Sequence, residues 1–199
     1  MIKSKEDYYY YLEADKIALG ITKKRPSLFL DEVWRFERLL RKVEYYKNCK
    51  QSAFGELYYY ILYFFLHRAQ IKLGFYVHPN CFGPGLSVSH PGTIIVNGNA
   101  KIGSNCRLHD CVVIGTEAGY SDHAPTIGDN VYIGPGAKIY GRIVVADGVA
   151  IGANSVVNKS INEQNITIAG VPAKKVSDHG SKGLIIEGAS LAKKAVGGA

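Results

Sequence analysis

The chain has 199 residues, 47% of them hydrophobic, and a formal net charge of +7. That length fits one domain, or one domain with a helical extension, and the apolar content is ample for a core. The most apolar run, Leu57–Leu66, is about half the length of a membrane span, and the opening MIKSKEDYYYY lacks the apolar stretch of a secretion signal, so a membrane-spanning or exported protein is not expected. Four cysteines read as reduced thiols of a cytoplasmic protein. The positive charge suits an anionic small ligand. Nucleic acid is not expected as a partner, because no Lys/Arg stripe with interleaved aromatics runs along the repeat described below.

The first predicted element is a short helix over 5–18, with Tyr8, Leu12, Ala14, Ile17 and Ala18 apolar and Gly20 at its end, where a left-handed residue often closes a helix. Pro26 and Ser27 precede a second helix running to about Cys49. Its apolar stripe is Val33, Phe36, Leu39, Leu40, Val43 and Tyr46, at the helical period, and Arg35, Glu37, Arg38, Arg41 and Lys42 form a face expected to be solvated. The third, Phe54 to Leu73, is apolar nearly all round and rich in tyrosine, which predicts burial on several sides, as a cap on the remainder of the chain and at subunit contacts. Anchoring on a membrane surface would ask for more lysine along one face.

From Tyr76 onward the chain changes character. Every sixth residue from Ile127 is aliphatic: Ile127, Ile133, Ile139, Val145, Ile151, Val157. Four places after each comes Val131, Ala137, Ile143, Val149 or Ser155. The same phase holds upstream through Val96, Ile102, Leu108 and Ile114, with Ala100, Cys106, Val112 and Ala118 four later. Neither a helix nor a simple alternating strand keeps a six-residue period. Short parallel strands joined by tight turns do, three to a coil, with coils stacked about 4.8 Å apart. Between Ile114 and Ile127 the phase breaks, and Thr116–Thr126 (TEAGYSDHAPT) is predicted to leave the coil as a projecting loop. Ile166–Val176 closes the repeat, and Gly-, Ala-, Ser- and Lys-rich residues 177–199 read as a tail with a short helix around 188–195. The predicted division is therefore a helical region 1–74, a repeat domain 75–176 and a tail 177–199.

The rungs, His90-Pro91-Gly92, the loop ending Asp122-His123-Ala124-Pro125 and the closing AGVPAKKV together resemble the hexapeptide-repeat acyltransferases, in particular the serine acetyltransferases and the O-acetyltransferases of polysaccharide gene clusters. The resemblance covers roughly 75–176. It implies a mainly β fold, a left-handed parallel β-helix behind an N-terminal α-helical region. It also implies a homotrimer, with a dimer of trimers as a further option, and acetyl-CoA lying in the groove between neighbouring prisms, with no metal. By motif match His90 is the general base that takes the proton of an acceptor hydroxyl as it attacks the thioester, and His123 is the second histidine of the site. Ser89, Tyr76, His109 and Asp122 are the candidate substrate contacts, although His109 reads more simply as a surface residue. Gly134-Pro135-Gly136 and Gly152-Ala153-Asn154 match the stretches that lie against the pantetheine arm, where small residues admit an extended ligand. Lys159 and Lys174, with Arg142 and Lys175, are candidates for the phosphates.

Two departures carry weight. Where serine acetyltransferases have aspartates, just before the catalytic histidine and just ahead of the His-Pro of the first coil, this chain has Ser89 and Tyr76. A buried amino-acid ammonium would lack its carboxylate partner, which points to a neutral sugar hydroxyl as acceptor, with O-acetylation of serine as the alternative. The partner that orients His90 is left open among Tyr76, Asp110, Asp122 and a backbone carbonyl. Two other classes compete: a γ-carbonic-anhydrase-like enzyme using His90, His109 and His123 as zinc ligands, whose spacing and closing motif do not fit, and a catalytically inactive assembly scaffold.

Overall fold

The computed structural model describes residues 1–197, so the last two residues of the expected tail lie outside the described part. Three helices come first: α1 (Lys5–Ala18), α2 (Glu32–Cys49) and α3 (Ala53–Leu73). Ser4 caps α1 through its hydroxyl on the Asp7 N–H, Ser52 caps α3 on the Gly55 N–H, and Gly74, in the left-handed region at φ 78°, ends α3.

The strands that follow are two to five residues long and wind as a left-handed parallel β-helix with three faces. The first face stacks β1 (Phe75–Val77), β3 (Ile94–Val96), β6 (Val113–Gly115), β9 (Lys138–Tyr140) and β12 (Val156–Val157). The second stacks β4 (Lys101–Ile102), β7 (Thr126–Ile127) and β10 (Val144–Val145). The third stacks β2 (Ser87–Val88), β5 (Arg107–Leu108), β8 (Tyr132–Ile133), β11 (Ala150–Ile151) and β13 (Thr167–Gly170), with β14 (Ala173–Ser177) folded back antiparallel on β13. The six-residue aliphatic ladder is the core. Val96, Leu108, Ile114, Ile133, Ile139, Val145 and Ile151 are fully enclosed, and the register sets each over its counterpart one coil away, as in Leu108 over Ile133 and Ile114 over Ile139.

The corner turns need a left-handed residue just before the small inward-facing one. Asn105, Asn130, Asn154 and Asn165 supply it at φ 55–56°, asparagine being a residue that tolerates this region. Cys111 takes the same place at φ 59° without that tolerance. Ala118, placed in phase with the ladder, is instead exposed, because the chain has already left the coil for the inserted loop.

One face of α2 departs from expectation. Glu37 and Arg41 were expected in solvent, yet both are fully buried, with Asp15 of α1 and Glu44 beside them. The reason is the open edge of the first coil, whose unpaired backbone groups must find partners. Arg41 donates to the carbonyls of Phe82 (3.0 Å) and Gly83 (2.6 Å), and also to Asp15 (2.7 Å) and Glu44 (3.0 Å). Asp15 accepts the N–H groups of Gly85 (2.8 Å) and Leu86 (2.9 Å), Glu44 that of Asn80 (2.7 Å), and Glu37 that of Val88 (3.0 Å). The helices thus end the β-helix by standing in for the missing coil.

The expected burial of α3 on several sides is not reached within one chain. Only one stripe, Leu62, Leu66, Gln70 and Leu73, is enclosed, and its opposite side lies open. Past β14 the chain returns along the side of the prism and ends in α4 (Gly188–Gly197). Ala189 and Ala192 pack on Ala14 of α1, and a Cβ on Gly188 would stand 2.1 Å from the Ala14 carbonyl. The Ala189 N–H donates to Asn105 Oδ1 (2.8 Å), so the α1–α4 pair covers the corner between the second and third faces.

Candidate active site

Two corners of the prism remain free of helices, and the predicted residues divide between them. At the corner from third to first face, each residue following an inward aliphatic stacks on the next. Because Val88 pairs with Leu108, Leu108 with Ile133, Ile133 with Ile151 and Ile151 with Ile168, the residues Ser89, His109, Gly134, Gly152 and Ala169 form one column. His90 and Pro91 leave from its foot, exposed, and Pro135 and Ala153 are exposed beside it higher up. Lys174 is reached at the far end, where it pairs with Ala169. The structure therefore brings His90, Ser89, His109, Gly134, Pro135, Gly136, Ala153 and Lys174 to one edge.

The glycines of this column answer first to the neighbouring coil. A Cβ on Gly134 would come within 2.8 Å of the Ile151 carbonyl, and one on Gly136, at φ 77°, within 2.0 Å of Asn154 Oδ1. Their smallness is required by stacking inside the chain, and the flat edge that a ligand could follow is its by-product. This replaces ligand approach as the primary reason for glycine there.

His109 is not the surface residue it resembles in the sequence. Its ring lies between that of His90 (6.4 Å between centroids) and that of Tyr132 (5.1 Å), and its Nε2 is enclosed with no partner. Tyr132, one coil on, folds over it. Burial, then the charges of Arg107 and His90, push the imidazole below its ordinary value, so it is neutral at neutral pH. The Ser89 hydroxyl is likewise enclosed without a partner, while its N–H donates to the Leu108 carbonyl (2.9 Å). Behind this corner a hollow of about 250 Å³ opens between Val88, Ser89 and Pro91 on one side and Trp34, Val33 and the segment from Leu19 to Glu32 on the other. Glu37 lies beneath, holding Val88, two residues before His90. Burial, then the negative charge of Asp15, hold the Glu37 carboxyl well above the usual carboxylate range. Sequence reasoning missed Glu37. The signal was there in the spacing of Glu37, Arg41 and Glu44, each directly after a residue of the apolar stripe Phe36, Leu40 and Val43.

The second free corner, from first to second face, carries the inserted loop. Its backbone closes on itself through Glu117 N–H to His123 O (3.1 Å) and Ala124 N–H to Asp122 O (2.9 Å). His123 stacks flat on Tyr120, centroids 4.2 Å apart, and its Nδ1 lies 3.2 Å from Glu117 Oε2. Asp122 accepts from Arg142 (3.1 Å), which rises from the same corner one coil on, and Lys159 follows after the next coil. Asp122, His123 and Lys159 are therefore at a different edge from His90, and a single chain does not unite them. Tyr76 lies on the first face, half exposed, with its ring edge-on to His78 at 5.0 Å. Asp110 backs onto Gly92, whose Cβ would sit 2.9 Å from its own. Among the described residues no group of three His, Cys, Asp or Glu side chains is placed to hold a metal ion.

The profile of the family described as "Bacterial transferase hexapeptide (six repeats)" matches residues 124–159. A serine acetyltransferase of Buchnera aphidicola is 39% identical over 109 residues, which is 53% of this chain and 39% of that protein. Among solved structures, serine acetyltransferase from Brucella abortus superposes with a TM-score of 0.70 at 28% identity, over 89% of this chain and 72% of that one. The same enzyme in complex with coenzyme A gives a TM-score of 0.64 at 27% identity, over 88% and 68%. This chain is similar in sequence and fold to serine acetyltransferases, and it spans well under two thirds of the curated relative's length.

Proposed function

We propose that the chain is an acetyl-CoA-dependent O-acetyltransferase, and that L-serine is the first acceptor to be considered. The relatives and solved structures named above carry the name serine acetyltransferase, and one was solved with coenzyme A. They favour serine over the sugar hydroxyl expected from Ser89 and Tyr76. The single observation that carries the reading is the column itself: an exposed imidazole, His90, at the foot of the edge formed by Gly134, Pro135, Gly136 and Ala153. An extended thioester ligand laid along that edge places its acyl end beside a base.

In this reading His90 takes the proton of the acceptor hydroxyl as its oxygen attacks the thioester carbonyl, a step typically worth about 10²–10⁴ in rate; the C–S bond of the tetrahedral intermediate then breaks, and His90 returns the proton to the departing coenzyme A thiolate. A backbone N–H of the column meets the developing oxyanion, and Lys174 meets phosphate at the far end. His123 belongs to the other free corner, so the complete site needs a neighbouring copy, and a three-fold assembly turns the His123 corner of one prism toward the His90 corner of the next.

A second reading keeps the sugar acceptor. It rests on one observation, the absence of a carboxylate at Ser89 and Tyr76 to receive an ammonium. The deciding experiment mixes purified protein with acetyl-CoA and either L-serine or a panel of sugars, and follows thiol release. Turnover with serine at ordinary rates supports the first reading. Turnover confined to sugars replaces it with the second, and no acetyl transfer to any hydroxyl removes both.

A further inference from the structure

The open side of α3 has a composition that solvent alone does not explain. Phe54, Leu57, Ile61, Phe64, Phe65 and Ile71 are each between 43% and 86% exposed. At 3.6 residues per turn they fall within about a third of the circumference, along a helix about 31 Å long. Tyr58 and Tyr60, also exposed, border this strip on its two sides. Soluble chains seldom leave so many large apolar side chains contiguous unless something covers them.

Charge decides what covers them. Glu56 is the one acid on α3, whereas Arg68 and Lys72 both lie within the strip. The tertiary structure adds the lysines that the helix lacks in its first half. Lys42 of α2 donates to the Tyr58 hydroxyl (3.0 Å) and lies 5.2 Å from that ring's centroid. Lys47 and Lys50 share a hollow of about 430 Å³ with Glu56, Tyr59 and Tyr60. A second helix docking on the strip would call for acids opposite these bases along its flanks, and a second copy of α3 brings only Glu56, together with its own Arg68 and Lys72. An anionic lipid surface meets both demands, taking phenylalanine, leucine and isoleucine at the acyl boundary, with tyrosine, lysine and arginine among the headgroups. No helix among the described residues is long and apolar enough to cross a membrane, so α3 would lie in the plane.

We infer that the exposed face of α3 docks the protein on an anionic membrane surface. The test is flotation of the full chain with phosphatidylcholine vesicles containing or lacking phosphatidylglycerol, beside light scattering of the protein alone. Binding is expected to the phosphatidylglycerol vesicles and not to pure phosphatidylcholine, and to fall when salt is raised to about 1 M, where the screening length is about 3 Å. Leu57→Glu/Phe64→Glu is expected to lose at least about tenfold in vesicle binding with unchanged mass in solution and unchanged acetyl transfer. Failure to float with the anionic vesicles, or equal flotation of the double variant, overturns the inference. So does a smaller assembly for the double variant in solution, which would show a second copy to be what covers the face.

Discussion

Arg41 is where the junction between helices and prism can be probed most sharply. Its guanidinium is fully buried and makes five hydrogen bonds: two to Asp15, one to Glu44 and one each to the carbonyls of Phe82 and Gly83. Burial opposes its charge, but Asp15 and Glu44 more than offset this and hold it protonated. Arg41→Met keeps most of the volume and removes every donor. It leaves two enclosed carboxylates facing each other and two edge carbonyls without partners. Breaking a buried pair from one side costs about 3–5 kcal/mol, or roughly 6–20 °C in Tm at about 2–4 °C per kcal/mol for a chain of this size. Urea and thermal unfolding at pH 7 measure the loss. A change below about 1 kcal/mol at pH 7, the range of an exposed ion pair, would refute the view that the helices replace a missing coil through this network.

Three further outcomes are expected. His90→Ala lowers turnover by at least about two orders of magnitude with unchanged unfolding, whereas near-full activity would displace His90 as the base. Glu37 has a raised folded value, so its contribution to stability is complete below the unfolded value of about 4.3 and is lost as pH rises toward the folded one; Glu37→Gln therefore removes a decline of up to about 1.4 kcal/mol per pH unit, seen as melting curves of variant and parent that diverge upward from about pH 4.5. Cys111→Asn relieves a left-handed backbone position and is expected to raise stability by roughly 0.5–1 kcal/mol, read as a higher urea midpoint; a lower midpoint would mean that the Cys111 side chain contributes more than its backbone costs.

The fold was legible because the β-helix writes its period directly into the chain. An aliphatic residue every sixth place, a break in phase at the inserted loop and a closing motif are all local signals, and the core they define is the one found. The helices were legible as elements but not in their faces. Glu37 and Arg41 read as solvated because nothing near them in sequence needs them. Their partners, the edge groups of Phe82, Gly83 and Val88, lie some forty to fifty residues on, and only the closing of the first coil brings these together. For the same reason α3 was read as a buried helix: its apolar circumference says how much surface wants covering, not which side the chain itself covers.

The candidate site divides in the same way. Motif positions can be read in one dimension, and His90, His123, Gly134 and Ala153 became candidates in that way. The sorting of those residues between two corners depends on register, which counts three faces per turn and not residues along the chain. His109 shows the difference most plainly: by position its side chain points outward, and in the prism Tyr132 covers it. The sequence alone determined the repeat, its core and its chemically equipped residues, because each follows from neighbours within six places. Tertiary structure decided which charges are buried, which edge carries His90 and which apolar face is left open, because those depend on groups that meet only once the coils have stacked.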